Sequence, residues 1–368
     1  MKNEIDRKTS DLLELACYWL CCLIDFGITS LERFVEICGG LENVFAVEDK
    51  DIRKMEGISL KLKNQLIATR DISALEREYN KLQEKGITFI GKTNPVFPKT
   101  LKNIGNCPFG LFYRGCLPDK DKRSIAIVGA RNATAFGQET AKYFAKVLSS
   151  HGVQIISGLA LGIDGWAHRG ALEGMGKTWG VLGCGVNICY PKENFKIFEA
   201  MKTHGGILSE FKPGEKPLPW HFPYRNRIIS GLCDGILVVE ARKKSGSLIT
   251  AGFGLDQGKE IFAVPGRPVD DLSMGCNCLI SDGAKLVNEP SDILEEYKIS
   301  VKLPQKNKIV LDNLEKLVYP SLCLDAKSIE QIALEAQLDY THTAKTLISL
   351  TMKGYARQVG KNYYISQL

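Results

Sequence analysis

The chain has twelve cysteines but no Cys-x-x-Cys pair. Zinc knuckles and secreted disulfide frameworks both need paired spacings, so these thiols read mainly as core filler in a reducing compartment. Cys17, Cys21 and Cys22 fall inside an apolar helical pattern, while Cys276 and Cys278, in MGCNC, stand too close together for an ordinary metal clamp. No apolar run approaches the roughly eighteen residues of a membrane span, and the opening MKNEIDRKTS is polar. A cytoplasmic protein without signal peptide or membrane association is expected. Internal repeats and low-complexity tracts are also missing. Charge of one sign is scarce: 48 basic and 42 acidic residues are mixed along the chain, and the net +6 permits a polyanionic partner without requiring one.

What is present is enough apolar sequence, 44% of 368 residues, for a core domain with smaller satellites. Residues 1–75 have a helical pattern broken at Gly27, Gly39-Gly40 and Gly57. Short helices joined at glycines suggest a SAM-like or helix-hairpin-helix bundle, whose loop amides sometimes contact phosphates, or a plain helical cap. Over 80–298, apolar runs such as ITFIG, LFYRG, IAIVG, VQIISG, TWGVLG, GILVVEA and EIFAVPG alternate with helical stretches. Near-continuous apolar strands spaced by helices predict an α/β, doubly wound, Rossmann-like and mostly parallel sheet. The Lys-rich stretch 301–309 reads as a linker. Beyond it, 308–368 predicts helices over Leu311–Val318, Ser328–Ala336 and Thr341–Lys353 and a β wing turning at Gly360-Lys361-Asn362, a winged-helix domain.

Ligands of such sheets bind beyond the carboxyl ends of the strands. The rim there carries Gly129 and Arg131; Gly158, Gly162 and Asp164; Gly183 and Gly185; Glu210; Glu240; Ser245-Gly246-Ser247; and Pro265-Gly266. A dinucleotide does not fit, because the first loop reads GxRxxxxxG and the second strand ends in Ser157-Gly158 where a ribose-binding acid belongs. ATP does not fit either. Gly176-Lys177-Thr178 imitates a P-loop, but Ala171 stands five positions before Gly176 and the GKT precedes a strand. A row of phosphates suits the rim better. Arg131 beside loop amides can hold a phosphate through two hydrogen bonds, and Lys192, Arg225 and Arg227 add charge, unless the last two pair with acidic neighbours. Trp220, Phe222 and Tyr224 offer faces for unpaired bases. Catalysis finds little support: Asp164 and His168 are four apart on a helix without a nucleophile, and Asp164 reads as a cap. Ser245-Gly246-Ser247 could cap a helix or present amides to an anion.

Taken in order, GAR, SGLALGIDGWAH, VLGCGVNICYPKEN, SEF, FPYRNRII, VVEA, SGSLITA, VPG and GCNCLISDGA closely resemble the DprA/Smf family of DNA-processing proteins over about 80–290. The resemblance implies a dimeric, non-enzymatic protein that binds and protects incoming single-stranded DNA and loads the RecA recombinase onto it in natural transformation; the failed GKT context and the lack of a ligand-spaced His/Cys cluster predict that it works without nucleotide cofactor or metal. By motif match the resemblance carries over Gly129, Arg131, Lys192, Arg225 and Arg227 as strand-binding residues; Thr134, Gly158, Asn194, Phe222, Asn226, Ser245, Gly246 and Ser247 complete the candidate DNA-binding set. The chain departs from the family at Ala130, often a hydroxyl residue, and at Leu161, often basic, which implies fewer phosphate contacts. The alternative is a Lonely-Guy-like nucleoside-monophosphate phosphoribohydrolase. Glu240 and Thr250 suit it, but its PGGxGT motif is missing. In the C-terminal unit the third helix has only Lys345 and Lys353 as obvious charges, so a packing or protein-contact role is expected there.

Overall fold

The computed structural model describes residues 2–300 and 311–366, with side chains from residue 10 onward. The linker expected at 301–309 lies outside the described residues. Nine strands form one sheet: β1 (Thr88–Gly91), β2 (Gly110–Gly115), β3 (Ser124–Val128), β4 (Gln154–Ser157), β5 (Thr178–Val181), β6 (Gly205–Ser209), β7 (Gly235–Val238), β8 (Glu260–Ala263) and β9 (Lys285–Leu286). Their order is β1-β2-β6-β5-β4-β3-β7-β8-β9. The sheet is parallel from β6 to β9, and β1 and β2 extend it antiparallel.

Side chains alternate across a strand, and β3 divides accordingly. Ile125 and Ile127 enter one apolar layer with Phe144, Leu148 and Leu237; Ala126 and Val128 enter the other with Ile156, Val181 and Ile229. Every residue of β3, β4, β5, β6 and β7 is buried, as parallel strands covered on both faces must be. The chain winds outward from β3 through β4 to β6, then returns to start β7 on the other flank of β3. That reversal opens a crevice at the carboxyl ends of β3 and β7.

The N-terminal helices do not form a detached bundle. Trp19, Leu31, Phe34 and Leu66 share one apolar cluster with Phe89, Phe112, Leu182, Ile207 and Phe211, so these helices finish a face of the sheet. The C-terminal unit has a core of its own around Val318, Ile332, Leu347, Leu350 and Tyr364. Its helices are Asn313–Val318, Ile329–Ala336 and Tyr340–Met352. Its strands are β10 (Lys327–Ser328), β11 (Ala356–Gly360) and β12 (Tyr363–Ser366), in the order β10-β12-β11. The first helix starts later than the periodicity suggested, because the Asp312 carboxylate caps it by accepting from the Glu315 N–H at 2.8 Å. Among the described residues no helix is long and apolar enough to cross a membrane, and no cluster of three or more His, Cys, Asp or Glu is placed to hold a metal ion.

Candidate nucleic-acid interface

The crevice holds a cleft of about 370 Å³, lined by Gly129, Arg131, Asn132, Asp164, Phe222, Arg225, Asn226, Arg242, Lys244, Ser245, Gly246 and Ser247, among others. Three loops build it. After β3 the chain turns at Gly129, and Arg131 emerges exposed, its guanidinium 5.4 Å from the Phe222 ring centroid. No carboxylate among the described residues pairs with it. Phe222 also lies 5.6 Å from Tyr190, with the two rings tilted by 33°, so an aromatic and cationic ledge borders the cleft.

The second loop follows β4. At Gly158 a Cβ would fall 2.4 Å from the Arg225 guanidinium, so any larger residue there displaces that group. Gly162, at φ +73°, turns the chain into the helix Ile163–Glu173 where a Cβ would strike the Ala130 carbonyl oxygen at 2.2 Å. Asp164 is not the expected helix cap. It lies inside the helix, and its carboxylate accepts the Gly158 N–H at 3.1 Å and the Ala160 N–H at 3.4 Å, holding the loop shut. His168 does not pair with it but meets the Thr178 hydroxyl at 2.7 Å.

Arg225, on the helix His221–Leu232, is only 5% exposed. Its guanidinium donates to the Gly158 carbonyl at 2.9 Å and to the Val181 carbonyl. Burial lowers its pKa to about 10 against the pull of Asp164, with the Arg131 charge adding to the lowering. It remains a cation at neutral pH. Burial in turn raises the Asp164 pKa, opposed first by Arg225. The third loop ends at Ser245, whose hydroxyl accepts the Ser247 N–H at 3.4 Å and caps the helix Gly246–Asp256. Asn226 donates to the Gly246 carbonyl at 3.2 Å and ties this loop to its neighbour helix. The capping and amide-presenting readings of this segment are compatible: the helix N-terminus opens on the cleft, where its dipole favours an anion.

Other candidates lie elsewhere. Arg227 points away from the cleft, donating twice to Glu210 at 2.8 and 2.7 Å and once to the Asn106 carbonyl at 3.0 Å, over the Tyr224 ring. The pairing with an acidic neighbour prevails there. Thr134 caps the helix Ala135–Ser150 by accepting the Gly137 N–H at 3.0 Å and itself donates to Glu240. Asn194 is buried and donates to the Leu159 and Ala160 carbonyls at 3.0 Å, so it braces the second loop from behind. Lys192 is exposed beyond the cleft lining. Arg242 and Lys244, both exposed, line the cleft without having been singled out; the basic run in EARKKSGS was their signal. The Glu240 carboxylate, which the phosphoribohydrolase reading would need free, accepts both the N–H and the hydroxyl of Thr134.

The chain is similar to known proteins over the region that carries this cleft. Residues 88–298 match the family DNA recombination-mediator protein A. DNA processing protein DprA of Bacillus subtilis is 41% identical over 253 residues, which is 67% of this chain and 83% of that protein. The X-ray structure of DprA from Streptococcus pneumoniae superposes with a TM-score of 0.67 at 33% identity, covering 77% of this chain and 97% of that one. DprA of Helicobacter pylori, whose structure is described for its single-stranded DNA binding mode, superposes with a TM-score of 0.52 at 26% identity, over 58% of this chain and 95% of that one. With an unbroken match across the whole sheet and its crevice, this chain belongs to the DNA recombination-mediator protein A family.

Proposed function

We propose that the cleft binds single-stranded DNA through its phosphates, and that the protein protects incoming strands and passes them to the RecA recombinase during natural transformation, in the cytoplasm, as a homodimer. The observation that carries this reading is the concentration of cations at one crevice. Arg131, Arg242 and Lys244 are exposed on the cleft around the buried Arg225, beside the N-terminus of the helix Gly246–Asp256. Several phosphate-sized charges in a row with an aromatic ledge suit a strand with accessible bases better than one nucleotide or a stacked duplex. Gly129, Gly158 and Asn226 shape the cleft, Thr134 and Asn194 fix its loops, Ser245, Gly246 and Ser247 supply amides and hydroxyls, and Lys192 extends the charge outward. Arg227 takes part only by fixing its helix.

In this proposal 1–75 is a SAM-like unit, 80–298 the DNA-binding core and 308–368 a winged helix. A salt titration comparing single-stranded with double-stranded DNA tests it. Affinity for single strands falls with a log–log slope of about −0.7 for each phosphate neutralised, in the presence of chelator and without ATP. A salt-independent affinity, or release of base from nucleoside monophosphates, refutes it.

A further inference from the structure

Among the described residues, two charge contacts join the C-terminal unit to the core. Arg357, on β11, lies 3.0 Å from Glu139, whose side chain is only 2% exposed. The same guanidinium lies 4.8 Å from the ring centroid of Trp166, which Arg169 meets at 4.7 Å. At the second contact Arg267 donates to Asp270 at 2.8 Å and to Asp325 of the C-terminal unit at 3.3 Å. Between core and C-terminal unit lies a second cavity of about 1040 Å³. It shares Arg242 and Leu272 with the first cleft, so the two adjoin at Arg242.

Its charge does not suit a phosphate chain. Glu240, Asp270, Asp271 and Asp325 line it against two arginines: Arg267 is held between Asp270 and Asp325, and Arg242, exposed at the mouth shared with the first cleft, lies 3.9 Å from Asp271. The wall contributed by the C-terminal unit, Cys323 to Ala326, brings a carboxylate and no cation. Like charge at this range opposes the strand.

We propose that the C-terminal unit is a self-docked barrier at one end of the DNA groove, held by Arg357 against Glu139 and Trp166, which lifts for the groove to accept a continuous strand. The inference rests on the reading of the first cleft as the DNA site. Short strands fill that cleft with the barrier in place; long strands bind only the lifted form. The apparent affinity for long strands is therefore reduced by the fraction lifted.

The test uses the full-length chain and the variants Arg357→Glu, which sets like charge against Glu139, Arg357→Gln, which removes the charge, and Arg357→Lys, which keeps it without the planar group that stacks on Trp166. Small-angle scattering reports docking, and binding is measured on oligonucleotides of about six and about forty nucleotides. If docked outnumbers lifted about ten to one, Arg357→Glu expands the particle and binds the long strand about tenfold tighter, with short-strand affinity at the parental value. Arg357→Gln moves in the same direction and Arg357→Lys lies nearer the parent. Should Arg357→Glu melt early, Arg357→Gln decides. Expansion with unchanged or weaker long-strand binding overturns the barrier, and so does a particle that does not expand. Failure of the parent to bind even the short strand overturns the reading of the cleft itself.

Discussion

Arg131 and Arg227 carry the same guanidinium into opposite surroundings, the first exposed beside a ring, the second locked between Glu210 and the Asn106 carbonyl. If the cleft is the DNA site proposed above, Arg131→Ala removes a charge-assisted phosphate contact without opening the core. Affinity for single-stranded DNA drops about ten- to a hundredfold, the equivalent of about 1.5–3 kcal/mol, at an unchanged melting temperature. Arg131→Lys recovers part of it, because the charge stays and the planar fork is lost. Equal affinities for all three proteins at one salt concentration would remove Arg131 from the site. The sequence singled out Arg131 because it stands in the turn after the first parallel strand, beside loop amides, where a dinucleotide loop carries a glycine. It could not separate Arg227 from Arg225: they differ by two positions in one helix, and what sorts them is Glu210 on one side and the carbonyls of Gly158 and Val181 on the other, all supplied by distant strands. Arg242 and Lys244 were visible as a basic run, but only the turn after β7 aims them at the cleft.

At the level of elements, the helix Ile163–Glu173 joins the loop lock at Asp164 to a fully buried His168. Burial, with the Arg225 charge nearby, lowers the His168 pKa to about 3. The unfolded chain, with an ordinary histidine near pH 6.5, binds a proton that the folded chain refuses. The stability associated with neutral His168 is thus complete above pH 6.5 and is lost as pH falls, by about 1.4 kcal/mol per unit and about 2 kcal/mol by pH 5. Asp164, Glu210 and Glu240, raised by burial, act in the opposite sense, gaining stability as pH falls. They are common to parent and variant, so the difference between the parent and His168→Gln isolates the histidine. In denaturant titrations at pH 7 and pH 5 that difference shrinks by about 2 kcal/mol at the lower pH; parallel losses would refute the assignment. Strands of this sheet were legible as apolar runs because both faces are covered. The role of Asp164 was not, since a carboxylate at a helix start caps its own helix as readily as it holds the preceding loop.

For the whole molecule, the two satellites differ in how they are attached. The C-terminal unit has a separate core, and among the described residues its ion pairs to the sheet domain run through Arg357 and Asp325. The N-terminal helices share theirs with β1, β2 and β6. Removing 308–368 leaves a chain that unfolds in one cooperative transition. Removing 1–75 uncovers Phe89, Phe112 and Phe211 and yields an aggregating protein; calorimetry and solubility of the two truncations check both outcomes, and a soluble, cooperative core without its N-terminal helices would refute the second. The segmentation at glycines was readable, but a sequence pattern shows which residues are apolar and not which partner covers them. The shared cluster also sets a schedule for synthesis. Trp19 leaves the ribosome early, while Phe211, which closes the same cluster, follows roughly 190 residues later, or about 10–40 s at ordinary elongation rates. Throughout that interval the nascent N-terminal helices have an uncovered apolar face, so this protein depends on chaperone cover during translation more than its folded stability alone would indicate.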